Sequence, residues 1–302
     1  MKIIDAHVHL VQYICGFGSR GDLRAIGGGK AQYADGSVLN LIPPRLGEYD
    51  VTPEKVIALM DEEGVEKAVL LQGNYLGFQN QYSLDAMKKY PDRFQAAVTY
   101  DPFCRNKHLI LENLFEKQGA KVLKFEVSTG SGLMSAHETV DLAGPMMEEA
   151  YEYADQHNLV CVMDIGRYGT ASYQIEALRE AIKRHPKMKW VVCHVLMPSK
   201  GGEAQMEKDL RQLNLENVWF DFAALPANVN RGEAYPYPAA QEVLHRAKAV
   251  VGADRLIFGS DIPSTITGEK YSDLVQYAAQ LFTAQEQEKV FYDNANLVYF
   301  GE

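Results

Sequence analysis

Short apolar runs alternate along most of the chain with stretches of helical period. The runs are Lys2–Leu10, Lys67–Gly73, Phe94–Tyr100, Lys121–Val127, Leu159–Asp164, Trp190–Val195, Val218–Phe222 and Leu256–Asp261. Their length and β-branched content predict buried strands. Between them the spacing predicts helices at about 53–63, 83–90, 107–118, 145–157, 173–185, 203–213 and 238–250, and a helical C-terminal region. The first helix carries its own punctuation: Thr52 as N-cap, Pro53 at the first helical position and Gly64 as stop. Eight strands alternating with eight helices predict a parallel sheet, and this count favours a closed (β/α)8 TIM barrel.

One stretch breaks the pattern. Residues 11–50 hold Gly16, Gly18, Gly21, the run Gly27-Gly28-Gly29 and Pro43-Pro44. This is too long for an ordinary connector, and we expect a long loop insertion after strand one, either a functional lid or a disordered patch. Its arginines, Arg20, Arg24 and Arg45, are within reach of an anionic ligand, although any single one is more often a solvated surface residue. A glycine-containing loop, Ser128 to Gly132, follows the fourth strand.

Composition narrows the setting. The chain has 302 residues, 47% of them hydrophobic, enough for one barrel domain spanning 1–302. A formal net charge of -10 argues against nucleic acid or an anionic membrane as partner. No apolar run is long enough to span a bilayer, and Asp5, His7 and His9 interrupt the N-terminal apolar stretch, so no signal peptide is expected. The four cysteines show no paired spacing, which fits a reduced cytoplasmic protein. A small-molecule substrate is the expected partner, with self-association left open.

The chemistry gathers at strand ends. Strict alternation places Asp5, His7 and His9 on one face of the first strand and Ile4, Ala6, Val8 and Leu10 on the other. The same rule pairs Lys124 with Glu126, Val162 with Asp164, and Val192 with His194, and it sends Cys193 to the helix layer, away from His194. On that ground a Cys–His nucleophile pair is rejected. Asp261 ends the eighth strand, and such barrels carry their sites at the C-terminal strand ends. So many ionisable groups in a partly dry place are costly: removing an ion from water costs several kcal/mol even after relaxation. A divalent cation would relieve the carboxylates and take the histidines as neutral ligands. Asp221, in mid-strand, reads as structural.

The segments Ile4-Asp5-Ala6-His7-Val8-His9, Val192-Cys193-His194, Phe258-Gly259-Ser260-Asp261-Ile262-Pro263 and the closing Phe291-Tyr292-Asp293-Asn294-Ala295-Asn296 resemble the amidohydrolase superfamily, in its amidohydrolase-related (amidohydrolase 2) branch. The resemblance covers nearly the whole chain. It implies a metal site of one or two ions with His7 and His9 as paired ligands. It implies Asp261 as ligand and proton acceptor, and His194 as ligand or as proton-transfer and polarising residue. The branch commonly has a histidine where this chain has Asp164. A carboxylate there shifts preference from Zn²⁺ towards harder ions such as Mn²⁺ or Mg²⁺. Whether Asp164 or Glu126 completes the ligand set stays open.

The expected function is a metal-dependent hydrolase that activates water against a small anionic carbonyl compound, with Arg167, Lys124 and Arg45 as candidate substrate contacts. The alternative is a metal-dependent decarboxylase or hydratase acting on a carboxylated aromatic or enol acid. A non-catalytic ligand-binding barrel ranks third.

Overall fold

The computed structural model describes residues 1–127, 137 and 139–301. The loop expected at 128–132 lies outside the described residues. Strand β1 (Ile3–Val8) opens the chain. It is followed by four short strands, β2 (Cys15–Gly18), β3 (Gly21–Gly27), β4 (Lys30–Tyr33) and β5 (Val38–Asn40). Then come α1 (Pro53–Glu63), β6 (Val65–Leu70), α2 (Asn80–Lys89), β7 (Phe94–Val98), α3 (Lys107–Leu111) and β8 (Val122–Glu126). The second half runs α4 (Pro145–Gln156), β9 (Val160–Asp164), α5 (Ile175–Arg184), β10 (Lys189–Val192), α6 (Glu203–Leu213), β11 (Val218–Asp221), α7 (Leu225–Asn230), α8 (Pro238–Val251), β12 (Leu256–Ile257), α9 (Tyr271–Ala279) and α10 (Ala284–Glu288).

Eight strands form one parallel sheet in the order β1-β6-β7-β8-β9-β10-β11-β12. The last strand returns to the first through Ala6 N–H to Phe258 O (3.0 Å), Asp261 N–H to His7 O (2.7 Å) and His9 N–H to Ile262 O (2.8 Å). The result is the predicted (β/α)8 barrel. Two apolar layers follow from strand alternation. Ile4, Ala6, Val69, Leu71, Val122, Val160, Val162, Val191 and Ile257 fill the barrel. Val8, Leu70, Leu123, Phe125, Met163, Val192 and Phe220 pack outward in the helix layer. Helix α1 forms as punctuated: Lys55 N–H donates to Thr52 Oγ1, and Gly64 takes the left-handed conformation that ends it. The C-terminal segment plugs the N-terminal end of the barrel with Ala295, Val298 and Tyr299. The open end is therefore the C-terminal face of the strands.

Three expectations need correction. The insertion is not an irregular loop. It is an antiparallel sheet, β2-β3-β4-β5. Gly27, Gly28 and Gly29 all have positive φ where β3 turns into β4, and Gly36 does so between β4 and β5. These are the turns that hairpins take from glycine. One face of this sheet, with Leu23, Ala31 and Tyr33, joins the main core.

Strand β1 does not alternate throughout. Asp5 pairs with Ala68 and Val8 with Leu70, so β1 spends one residue more than β6 over this step. This bulge lets Ile4 and Ala6 face the barrel interior while Val8 and Leu10 face the helices. Asp5 takes the other side, accepting from Tyr271 Oη (2.7 Å), Ser260 N (2.9 Å) and His7 N (3.1 Å).

The sixth barrel strand ends at Val192, before the expected Val195. His194, Val195, Leu196 and Met197 all have positive φ, a run that costs these residues about 1–2 kcal/mol each. From β10 into Cys193 alternation holds with the phase opposite to the expected one: Val191 and Cys193 face the barrel interior and Trp190 and Val192 the helices, and the left-handed run beyond carries His194 to the site.

Candidate metal centre

The bulge and the left-handed run converge on one place. After the bulge, His7 and His9 project over the barrel interior, their rings 5.1 Å apart. The turn beyond β10 carries His194 to 4.8 Å from the His7 ring. Each imidazole is tied down through Nδ1: His7 to Asp221 Oδ2 (3.2 Å), His9 to the Leu71 carbonyl (3.0 Å) and His194 to the Ala223 carbonyl (2.8 Å). A carbonyl only accepts, so Nδ1 of His9 and of His194 donates. Their Nε2 atoms are left for the site, the orientation that outer partners impose on ligating histidines. His9 Nε2 lies 3.0 Å from Asp261 Oδ1, His7 Nε2 4.0 Å from the same oxygen, and His194 Nε2 3.6 Å from Asp164 Oδ2. Asp261 itself is reached by a positive φ just beyond β12.

Two groups have ligand atoms mutually within 4.8 Å: His7 with His9 and Asp261, and His7 with His194 and Asp221. The first is the better cation site. The oxygens of Asp221 are already committed, Oδ1 to the N–H groups of His194 (2.9 Å) and Ala223 (3.1 Å), and Oδ2 to His7. Asp221, read from sequence as structural, is the carboxylate that aims His7 and shapes the turn carrying His194. A buried aspartate at a strand end was the available signal. Asp164 and Glu126 fall outside both groups. Asp164 Oδ1 accepts from Gly166 N (3.0 Å) and Glu126 Oε2 from Asn74 N (2.6 Å).

Electrostatics fits a cation. Glu126, Asp164 and Asp221 are buried around the site and Asp261 is nearly so, while Lys124 is the only buried lysine or arginine among the described residues. Burial pulls the His7 imidazole down to about 4 against the pull of Asp221, keeping it neutral as a ligand must be. Burial would also lower His194, but the hydrogen bond and charge of Asp164, with Asp221 and Asp261 beyond, override it and raise it to about 10. Burial alone would raise Asp261; its hydrogen bond to His9 holds it well below the usual carboxylate range. The donor set is thus two imidazoles and an ionised carboxylate among buried acidic groups.

Above this floor opens a cavity of about 1130 Å³. Lys124, Glu126 and Arg167 line it, as do Arg20, Tyr33 and Asn40 from the small sheet and Arg231 beyond α7. Arg231 has no local sequence signature. Arg45, expected at the substrate, is not in the lining and points to solvent. Its neighbours Leu41, Ile42 and Leu46 are buried and pin that segment to the core, turning Arg45 outward. Cys193 carries no nucleophile: burial, with the Asp221 charge beside it, pushes its thiol well above the ordinary range. This replaces the alternation argument, since Cys193 does face inward.

A family model described as Amidohydrolase matches residues 4–301. No curated protein matches the sequence. Among solved structures, a probable 2-pyrone-4,6-dicarboxylic acid hydrolase from Acinetobacter baumannii with citric acid bound is similar at 19% identity, with TM-score 0.70, covering 99% of this chain and 100% of that one. An amidohydrolase from Burkholderia multivorans with bound zinc matches at 15% identity and TM-score 0.74, covering 99% of each chain. A 2,6-dihydroxybenzoate decarboxylase complexed with 2,6-dihydroxybenzoate matches at 14% identity and TM-score 0.57, covering 82% of this chain and 87% of that one. At these identities the likeness is one of fold. Among the described residues, no helix is long and apolar enough to cross a membrane.

Proposed function

We propose a function for a chain that belongs to the amidohydrolase family: it is a metal-dependent hydrolase of a small anionic carbonyl compound, working as one domain. The observation that carries this reading is the convergence of His7, His9 and Asp261 under the cavity, with His9 Nε2 3.0 Å from Asp261 Oδ1. These three residues would hold a divalent ion, with Asp164 as the further carboxylate facing it. The carboxylate share favours Mn²⁺ or Mg²⁺ beside Zn²⁺. When bound, the ion supplies Lewis acidity towards a water and a substrate oxygen.

The chain's own groups divide the proton work. Asp261, held ionised, accepts the proton of the attacking water. His194, held protonated by Asp164, donates to the departing oxygen or nitrogen. Arg20, Arg167 and Arg231 around the cavity give an anionic substrate its orientation. The same protonated His194 supports a second reading. If a carboxylate carbon–carbon bond breaks and CO₂ leaves, the electron pair stays on carbon and His194 gives it the proton. The decarboxylase among the fold relatives is consistent with this.

Elemental analysis of the purified protein is the first test. We expect one divalent ion per chain, lost in the His7→Ala/His9→Ala variant; unchanged content in that variant would end the site assignment. A panel of lactones, amides and hydroxybenzoates, followed for ring opening against CO₂ release, separates the two reactions. A fully loaded metal site with no turnover on the panel would favour a ligand-binding barrel instead.

A further inference from the structure

The backbone just past β6, residues 71–76, is gripped from several sides. On its inner side the Leu71 carbonyl accepts from His9 Nδ1 (3.0 Å), the Gln72 carbonyl from Lys124 Nζ (2.6 Å), and the Asn74 N–H donates to Glu126 Oε2 (2.6 Å). The Asn74 side-chain amide also donates to the Glu126 carbonyl (3.2 Å). On its outer side Gln72 Nε2 donates to Ser83 Oγ and to the Ala97 carbonyl. On its upper side Phe17 N–H donates to the Asn74 carbonyl (2.9 Å) and Cys15 N–H to the Leu76 carbonyl (3.1 Å). These last two bonds are backbone pairing with β2, the first strand of the small sheet. The approach is so close that a Cβ on Gly16 would lie 2.0 Å from the Asn74 carbonyl oxygen.

Lys124 and Glu126 sit two residues apart on β8, and each buried side chain is hydrogen-bonded to a backbone group of this strap. A buried backbone group stays in place while its hydrogen-bond partner is present, and removing the partner leaves it unsatisfied at a cost of about 1–3 kcal/mol. The strap in turn supplies the carbonyl that orients His9. We propose that Lys124 and Glu126 are positioning residues: they clip the inner side of the 71–76 strap, set the tilt of the His9 ring through Leu71, and seat the small sheet over the cavity. Glu126 then acts on the metal centre through His9, and Asp164 is the carboxylate left to face the ion. The metal consequence rests on the metal-site reading; the backbone consequence does not.

The substitutions Glu126→Gln, Glu126→Ala and Lys124→Met in the full chain separate a clip from a ligand. A glutamine oxygen still accepts the Asn74 N–H but is a poor metal ligand. Two quantities are measured: amide hydrogen exchange in peptides covering 71–77, and the dissociation constant for Mn²⁺ or Zn²⁺. A clip gives exchange faster by about tenfold in Glu126→Ala and Lys124→Met, and within about twofold of the parent in Glu126→Gln. Metal affinity falls by about tenfold or more in the first two and is kept in Glu126→Gln. Unchanged exchange in Glu126→Ala and Lys124→Met overturns the proposal. So does Glu126→Gln losing metal as fully as Glu126→Ala, which would make Glu126 a ligand. Should Glu126→Ala fail to fold, Lys124→Met and Glu126→Gln carry the same comparison. A parent protein that binds neither ion defeats the metal-site reading, while the exchange measurement still decides the clip.

Discussion

The barrel floor and the sheet above it are built on opposite principles. The strands that carry His7, Asp164 and Asp221 are buried on both faces, these side chains and His9 just past β1 are almost inaccessible, and Asp261 beside them is partly exposed. The small sheet is buried on one face only, and Arg20 at its β2–β3 turn is exposed. Rigid burial suits groups whose protonation and aim must not drift. A half-exposed sheet suits contacts that select a ligand and let it leave. On the proposed function the difference gives chemistry to the floor and selection to the cover, and four substitutions test that division.

The largest effect is expected at Asp261. Asp261→Asn keeps the shape and the backbone bond to His7 O but removes the proton acceptor and its charge. We expect kcat/KM to fall by about 10³-fold, the scale of positioned acid–base catalysis, with metal affinity lowered as well because an amide is the poorer ligand. Activity within tenfold of the parent would remove Asp261 from the reaction.

Asp221→Asn is next. The carboxylate ties β11 to His7 and to the His194 turn. An amide offers a donor where an acceptor is needed, so His7 loses its aim. We expect metal affinity to drop by about 10–100-fold, as for other outer partners of ligating histidines. Stability falls as well, because a buried bonded group is broken. Parent-like metal affinity in a folded Asp221→Asn protein would return Asp221 to a purely structural role.

How legible each region was follows from the same contrast. The barrel was readable because strands buried on both faces leave apolar runs such as Ala68–Leu71 and Val160–Met163. His7, His9 and Asp261 stood out as polar residues at the ends of such runs. Alternation failed wherever the backbone departed from regular strand. The bulge at β1 reversed Ile4 and Ala6 relative to Val8, and the left-handed run 194–197 contains no glycine to announce it. Asp221 was underrated because a lone aspartate does not disclose that two histidine-bearing segments lean on it. The small sheet escaped because its strands are short and half-exposed. Its signals were local: three consecutive glycines and the Asp35-Gly36 pair, each a hairpin turn.

The cover itself is tested by two arginines that sequence could not tell apart. Arg20 lines the cavity and Arg45 does not. Arg20→Ala should raise KM by about tenfold with kcat and metal content unchanged, the signature of a contact made equally in ground and transition states. A fall in kcat at constant KM would instead move the cover into the chemistry.

Arg45→Ala should do least. Arg45 is exposed beside the buried anchors Leu41, Ile42 and Leu46, and a surface change of this kind stays within about 0.5 kcal/mol in stability. Its charge acts on Glu63, in the last turn of α1 and not among the cavity-lining residues. KM, kcat and metal affinity should therefore match the parent. The comparison with Arg20→Ala cancels the loss of one positive charge from the whole molecule, since both variants lose the same charge. A KM that rises equally in both would mean that the protein's overall field draws the substrate in, and such a rise would shrink with added salt. A rise confined to Arg20→Ala ties selection to the β2–β3 turn at the cavity above the candidate metal centre.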